Sequence, residues 1–193
     1  MKYSLMSSAF LALALFVGSP AGADEAAHVG PVKDYLAANV KAWVNDPAVI
    51  DAIKAQNAEH ASLSQADIDA LDKKWRAEVD GDDHPTIDGV LNKPISAFLK
   101  AKQEASDGTI TEIFVMDDKG LNVGQSATTS DYWQGDEAKF QKSFGAGAGA
   151  VFVDDAEKDE STQMLQSQAS MTISDESGKP IGAITIGINL DKL

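Results

Sequence analysis

The stretch Ile110-Thr111-Glu112-Ile113-Phe114-Val115-Met116-Asp117-Asp118-Lys119-Gly120-Leu121-Asn122-Val123-Gly124-Gln125 decides the fold. Its opening, Ile110 to Met116, is rich in β-branched and aromatic side chains, which suit a pleated, half-buried surface. Asp117-Asp118-Lys119-Gly120 then reads as a tight turn, with a glycine free to take the left-handed conformation. Leu121 to Gln125 is its hairpin partner. The same pattern returns downstream, where Asp175-Glu176-Ser177-Gly178 leads into Ile181 to Ile188. Val151 to Val153 and Ser161 to Ile173 read as two further strands. The two hairpins look alike because turn chemistry is shared, and the chain is not a repeat.

Upstream of Gly108 the apolar period lengthens. Val32, Leu36, Val40, Trp43 and Val44 share one helical face, with Tyr35 beside them. Asp46-Pro47 predicts an N-cap with proline in the first helical position, opening a helix through Ile50 and Ile53. Ser64 and Asp67 form a capping-box-like start, followed by Ile68, Leu71 and Trp75 at helical spacing. Pro94 opens a shorter helix carrying Ile95, Phe98 and Leu99. The predicted class is α+β: a central antiparallel sheet of about five strands with N-terminal helices packed on it.

The chain has 193 residues, a formal net charge of −14 and no cysteine. Without cysteine there are no disulfides, no thiol nucleophile and no cysteine-ligated cluster. The acidic balance argues against nucleic acid and against an anionic membrane surface. Arg76 is the sole arginine. Residues 1–23 read as a signal peptide: Lys2, an apolar run from Leu5 to Val17, and small residues Ala21-Gly22-Ala23 before Asp24-Glu25. The apolar run is short for a membrane span, so the expected product is exported and free of membrane insertion. Residues 24–193 are then expected to form a single domain, helical over 24–107 and sheet-forming over 108–193.

Four segments carry a resemblance to a known family. They are Ile113 to Gly120, Asp131-Tyr132-Trp133-Gln134-Gly135-Asp136, Asp159-Glu160-Ser161-Thr162, and Gly178-Lys179-Pro180-Ile181-Gly182-Ala183-Ile184. In order and spacing they resemble the Cache family, the extracytoplasmic PAS-like sensor domains of bacterial receptors. The resemblance covers roughly residues 108–190 and implies an antiparallel sheet with a small-molecule pocket on one face. It also implies ligand contacts at Asp131, Tyr132, Trp133 and Asp159, with Gln125 and Thr162 as weaker candidates. Family members are usually joined to a membrane helix and a signalling module, whereas this sequence stops at Leu193. A membrane receptor or kinase is therefore the partner class expected of a stand-alone version. Amino-acid-binding members also clamp a carboxylate with an arginine beside the pocket aromatics, but here Asp131 stands before Tyr132. That favours an amine or a neutral polar metabolite, held by charge pairing and cation–π contact.

No catalytic constellation competes with this reading. His28, His60 and His84 have no metal-ligand spacing among them, and no cofactor is expected. Asp80, Asp82 and Asp83 lack the glycine and distal glutamate of a calcium loop. Gly145-Ala146-Gly147-Ala148-Gly149-Ala150 lacks the lysine and hydroxyl of a phosphate loop and reads as a flexible lead-in to Val151. The expected function is a non-enzymatic periplasmic sensor that presents its bound state to a partner. The alternatives are a ligand-free interaction module of the same fold and, less favoured, an exported hydrolase. The helix through Val32–Val44 has an apolar face broad enough for a weak homodimer, which the net charge opposes.

Overall fold

The computed structural model describes residues 25–158 and 164–193; the signal-peptide reading of residues 1–23 lies outside them. Helix α1 (Val29–Tyr35) runs without a break into a π-helical turn, Leu36–Val40. The predicted apolar face is present, since Val32, Leu36, Val40 and Val44 all enter the main core. The widened turn, in which the Lys41 N–H reaches back to the Leu36 carbonyl, was not legible in the spacing.

Helix α2 (Pro47–Glu59) starts as predicted, with Asp46 accepting from the Ala48 N–H at 2.9 Å. Helix α3 (Gln65–Val79) opens on a complete capping box between Ser64 and Asp67. Helix α5 (Pro94–Glu104) follows the predicted proline start. Helix α4 (Pro85–Leu91) was not anticipated. It has two turns, and its cap comes from another helix. Glu78 of α3 accepts from the Thr86 and Ile87 N–H groups at 2.7 and 3.1 Å and from the Thr86 hydroxyl at 2.6 Å.

The sheet contains β1 (Ile110–Met116), β2 (Asn122–Gln125), β3 (Val151–Val153), β4 (Glu157–Lys158), β5 (Leu165–Ser174) and β6 (Pro180–Asn189). Every pairing is antiparallel, in the order β2-β1-β6-β5-β3, with β4 also pairing on β5. The predicted class stands, with one strand more than expected. Strand β4 is only two exposed polar residues, which give no alternating pattern to read. The strand predicted from Ser161 begins in the structure at Leu165, and residues 161–163 lie outside the described part.

One face of the sheet, carrying Ile113, Val115, Ile184, Ile186 and Ile188, packs on Val32, Leu36, Val49, Ile53, Ile95 and Leu99 of the helices. The opposite face carries Phe114, Met116 and Ala183 beneath Phe140 of a single turn, α6 (Ala138–Gln141). Strand β6 is thus covered on both sides, which explains its nearly unbroken apolar run. Gly182 lets it approach β1: a Cβ there would stand 2.2 Å from the Met116 carbonyl oxygen. A second core joins α3 and α4 to the hairpin through Ile68, Trp75, Ile87, Val90, Leu121 and Tyr132.

The capping box makes a direct prediction. Ser64→Ala is expected to cost about 1 kcal/mol of stability at neutral pH. The Ser64 side chain first, and its amide second, hold the Asp67 carboxyl below the ordinary carboxylate range. A depressed pKa adds stability above the unfolded value and loses it as pH falls through the folded one. Urea titrations should therefore show the gap between variant and parent narrowing as the pH falls through the carboxylate range. A gap independent of pH would count against the capping box as its source.

Candidate functional site

The β1–β2 turn is organised by a buried carboxylate. Asp117 is fully buried, and its Oδ1 accepts from the Lys119 and Leu121 N–H groups, both at 2.9 Å. Gly120 takes the left-handed conformation at φ 84°. Asp117 Oδ2 meets the Gln56 amide of α2 at 3.0 Å and Nδ1 of His60, the residue that caps that helix, at 2.8 Å. The Gln56 carbonyl in turn accepts from Lys93 Nζ at 3.0 Å. Burial pulls the Lys93 ammonium below its ordinary pKa, opposed by nearby Glu59 and Asp117. Asp175 organises the second turn in the same way, accepting from the Ser177 and Lys179 N–H groups.

The segment Asp131-Tyr132-Trp133 lies against α3. Asp72 Oδ1 accepts from the Tyr132 and Trp133 N–H groups at 2.9 and 3.0 Å. Its Oδ2 accepts from Arg76 Nε at 2.7 Å, and Arg76 Nη2 pairs with Asp131 at 2.8 Å. The sole arginine, 55 residues upstream in the sequence, thus sits on the acid proposed to face a ligand amine. Tyr132 is buried and stacks on Trp75, with ring centroids 5.1 Å apart and planes at 16°. Burial, reinforced by the Asp117 and Glu59 charges, raises the Tyr132 phenol well above its ordinary pKa. Trp133 is half-buried and donates from its indole to the Lys119 carbonyl at 2.8 Å. Gln125 lies buried at the end of β2, its carbonyl accepting from Asn122 and Thr129, both at 3.2 Å. Asp159 and Thr162 lie outside the described residues.

These contacts make the aromatic segment a latch between helix and hairpin. One cavity of about 410 Å³ lies beside this segment, lined by Val79, His84, Ile87, Asp88, Leu91 and Thr128 to Ser130; a more acidic cleft lies at the sheet face turned away from the main helices. Along β5, Ala169 and Ile173 enter the main core, while Gln168 and Ser170 point to the other side. There Gln168 donates to Glu112 at 2.7 Å, and the Ser170 and Thr185 hydroxyls meet at 2.8 Å. A cleft of about 260 Å³ opens at the start of β5, lined by Glu137, Lys139, Asp154, Asp155, Glu157, Gln166, Ser167 and Gln168. Lys139 is largely buried, paired with Glu137 at 3.0 Å and lying 5.5 Å from the Phe114 ring centre.

Four carboxylates against one ammonium give the cleft a negative field, which favours a cationic group in a confined, partly dry space. Sequence reasoning did not single out Glu137, Lys139 or Gln168. The available signal was the polar series Gln166, Gln168, Ser170 on one face of a strand whose other face carries Ala169, Met171 and Ile173. Among the described residues no cluster of three or more histidine and carboxylate side chains could hold a metal, and no helix is long and apolar enough to cross a membrane.

No protein-family model matches the sequence, and no curated protein matches it significantly. Solved structures do align with it. The sensor domain of the V. cholerae histidine kinase DctB aligns over 84% of this chain and 54% of its own length, at 11% identity and TM-score 0.43. The ligand-binding domain of the Campylobacter jejuni chemoreceptor Tlp3, in complex with 4-methylisoleucine, aligns over 78% and 62%, at 12% identity and TM-score 0.40. The E. coli DcuS sensor domain aligns over 64% and 92%, at 22% identity and TM-score 0.38. These neighbours are a histidine-kinase sensor domain, a chemoreceptor ligand-binding domain and a further sensor domain. The chain spans little more than half the length of the DctB and Tlp3 domains.

Proposed function

We propose that the chain is an exported, non-enzymatic sensor domain that binds a small cationic or neutral polar metabolite and presents the bound state to a receptor or kinase. The acidic cleft at the start of β5 carries this reading. Its size suits a small metabolite, and its carboxylates complement an amine. Asp159 and Thr162, which follow β4 directly in the sequence, keep their proposed place as ligand contacts. Asp131, Tyr132 and Trp133 are proposed to act by holding α3 to the hairpin that supports the site, and Gln125 by ordering the loop that leads to them. The exported location rests on the N-terminal leader pattern.

A thermal-shift screen of primary amines, amino acids, neutral polyols and small organic acids tests the proposal. Amine-bearing compounds should raise the melting temperature saturably. Glu157→Lys, an exposed change that reverses charge at the cleft wall, should weaken that response about tenfold or more by placing like charge beside the ligand. Stabilisation by organic acids alone, or an unchanged amine response in Glu157→Lys, would reject the cleft as the site. A complete lack of ligand response, with the parent fold intact, would favour the ligand-free interaction module.

A further inference from the structure

A second cavity has the opposite chemistry. Leu36 and Ala37 of the π-helical turn after α1 and Val151 and Met171 of the sheet line one groove of about 520 Å³. Leu36, Ala37, Val44, Val151 and Met171 give it an apolar floor, and Val151 is 42% exposed. The Gly-Ala run found in the sequence borders it through Gly149 and Ala150; Gly149, at φ 76°, has open space where a side chain would stand. In a strongly acidic chain, the groove lining contains two lysines, Lys33 and Lys41, and no carboxylate. Lys33 makes an exposed pair with Glu25, a contact of small energetic weight, and Lys41 makes no ion pair among the described residues.

We infer that this groove binds a single-chain fatty acid, with its alkyl tail along Leu36, Val151 and Met171 and its carboxylate at Lys41. The apolar floor supplies non-directional burial, the ammonium supplies a charge-assisted hydrogen bond, and the volume lies within the usual range of small-molecule sites. The π-helical turn fits such a role, since these irregularities concentrate at functional sites. A second copy of the chain is a poorer occupant. Twofold pairing of the groove on itself would set the lysines of both copies against each other, within a net repulsive field. The site is separate from the acidic cleft and shares no lining residue with it.

Decanoate, decylamine and decanol, each below its micellar concentration, titrated into the purified protein, provide the test, with melting temperature and tryptophan fluorescence as readouts. Decanoate should stabilise saturably, and Ala37→Phe should remove that response while leaving any decylamine response, which belongs to the acidic cleft, unchanged. Lys41→Met, which keeps the stem and removes the charge, should weaken decanoate binding about tenfold, the loss of one charged hydrogen bond. Ala37→Phe, at an exposed helical position that fills the groove, should abolish binding while leaving the melting temperature of the free protein near that of the parent. Decylamine binding that Ala37→Phe removes, no binding of decanoate, or an unchanged decanoate response in Ala37→Phe would overturn the inference. So would concentration-dependent self-association in light scattering that Ala37→Phe removes, which would give the groove to a second copy. An amine response at the acidic cleft should persist in both variants, so the failure of either site can be told from that of the other.

Discussion

Asp117→Ala is expected to lower the melting temperature by about 10 °C or more, from a loss of about 3–5 kcal/mol. Asp117 is completely buried, and its two oxygens serve four donors: the Lys119 and Leu121 amides, His60 and Gln56. Truncation would leave these donors without their acceptor in a dry site, and an unmet buried donor costs about 1–3 kcal/mol. The loss would also reach beyond the turn, because Gln56 of α2 and His60, which caps that helix, tie it to the hairpin. Asp117→Asn retains one oxygen for the turn amides and is expected to lose less. Equilibrium urea unfolding of the two variants decides the matter; a near-parental midpoint for Asp117→Ala would show that the network is not a structural support.

Trp75→Ala should have a comparable effect, about 3–5 kcal/mol, because it opens a large cavity in the second core. The indole is fully buried, stacks on Tyr132 and donates to the Thr129 carbonyl at 2.9 Å. Trp75→Phe keeps most of the stacking and loses the hydrogen bond, so a smaller cost of about 1–2 kcal/mol is expected. The two variants should also differ in where they loosen the protein. Hydrogen exchange in Trp75→Ala should accelerate in α3, α4 and the Asp131–Trp133 segment, with β5 and β6 protected nearly as in the parent. Uniform acceleration across the sheet would mean that the two cores unfold as one.

These two residues illustrate what was legible at different ranges. The Asp117–Gly120 and Asp175–Gly178 turns could be read directly, because a side chain that accepts from amides two and four residues ahead is a local device. The starts of α2 and α3 were legible for the same reason, their caps lying within a few residues of the helices they open. Helix α4 was not, since its first amides are met by Glu78 from the helix before it. The π-helical turn also escaped the pattern, because Val32, Leu36, Val40 and Val44 keep one apolar face whether or not a turn is widened.

By itself the sequence determined the α+β class, the two hairpins and the strongly acidic character of the chain. All of these follow from periodicity, turn chemistry and composition, which act over short stretches or sum over the whole. Only the tertiary structure decided what the charged side chains face. It set Arg76 against Asp131 and Asp72, turned the Asp131–Trp133 segment into a latch, and brought Glu137, Lys139, Asp154, Asp155 and Glu157 to the walls of one cleft. Ion pairs and cleft walls join residues far apart in the chain, and chain folding, not local propensity, sets those distances.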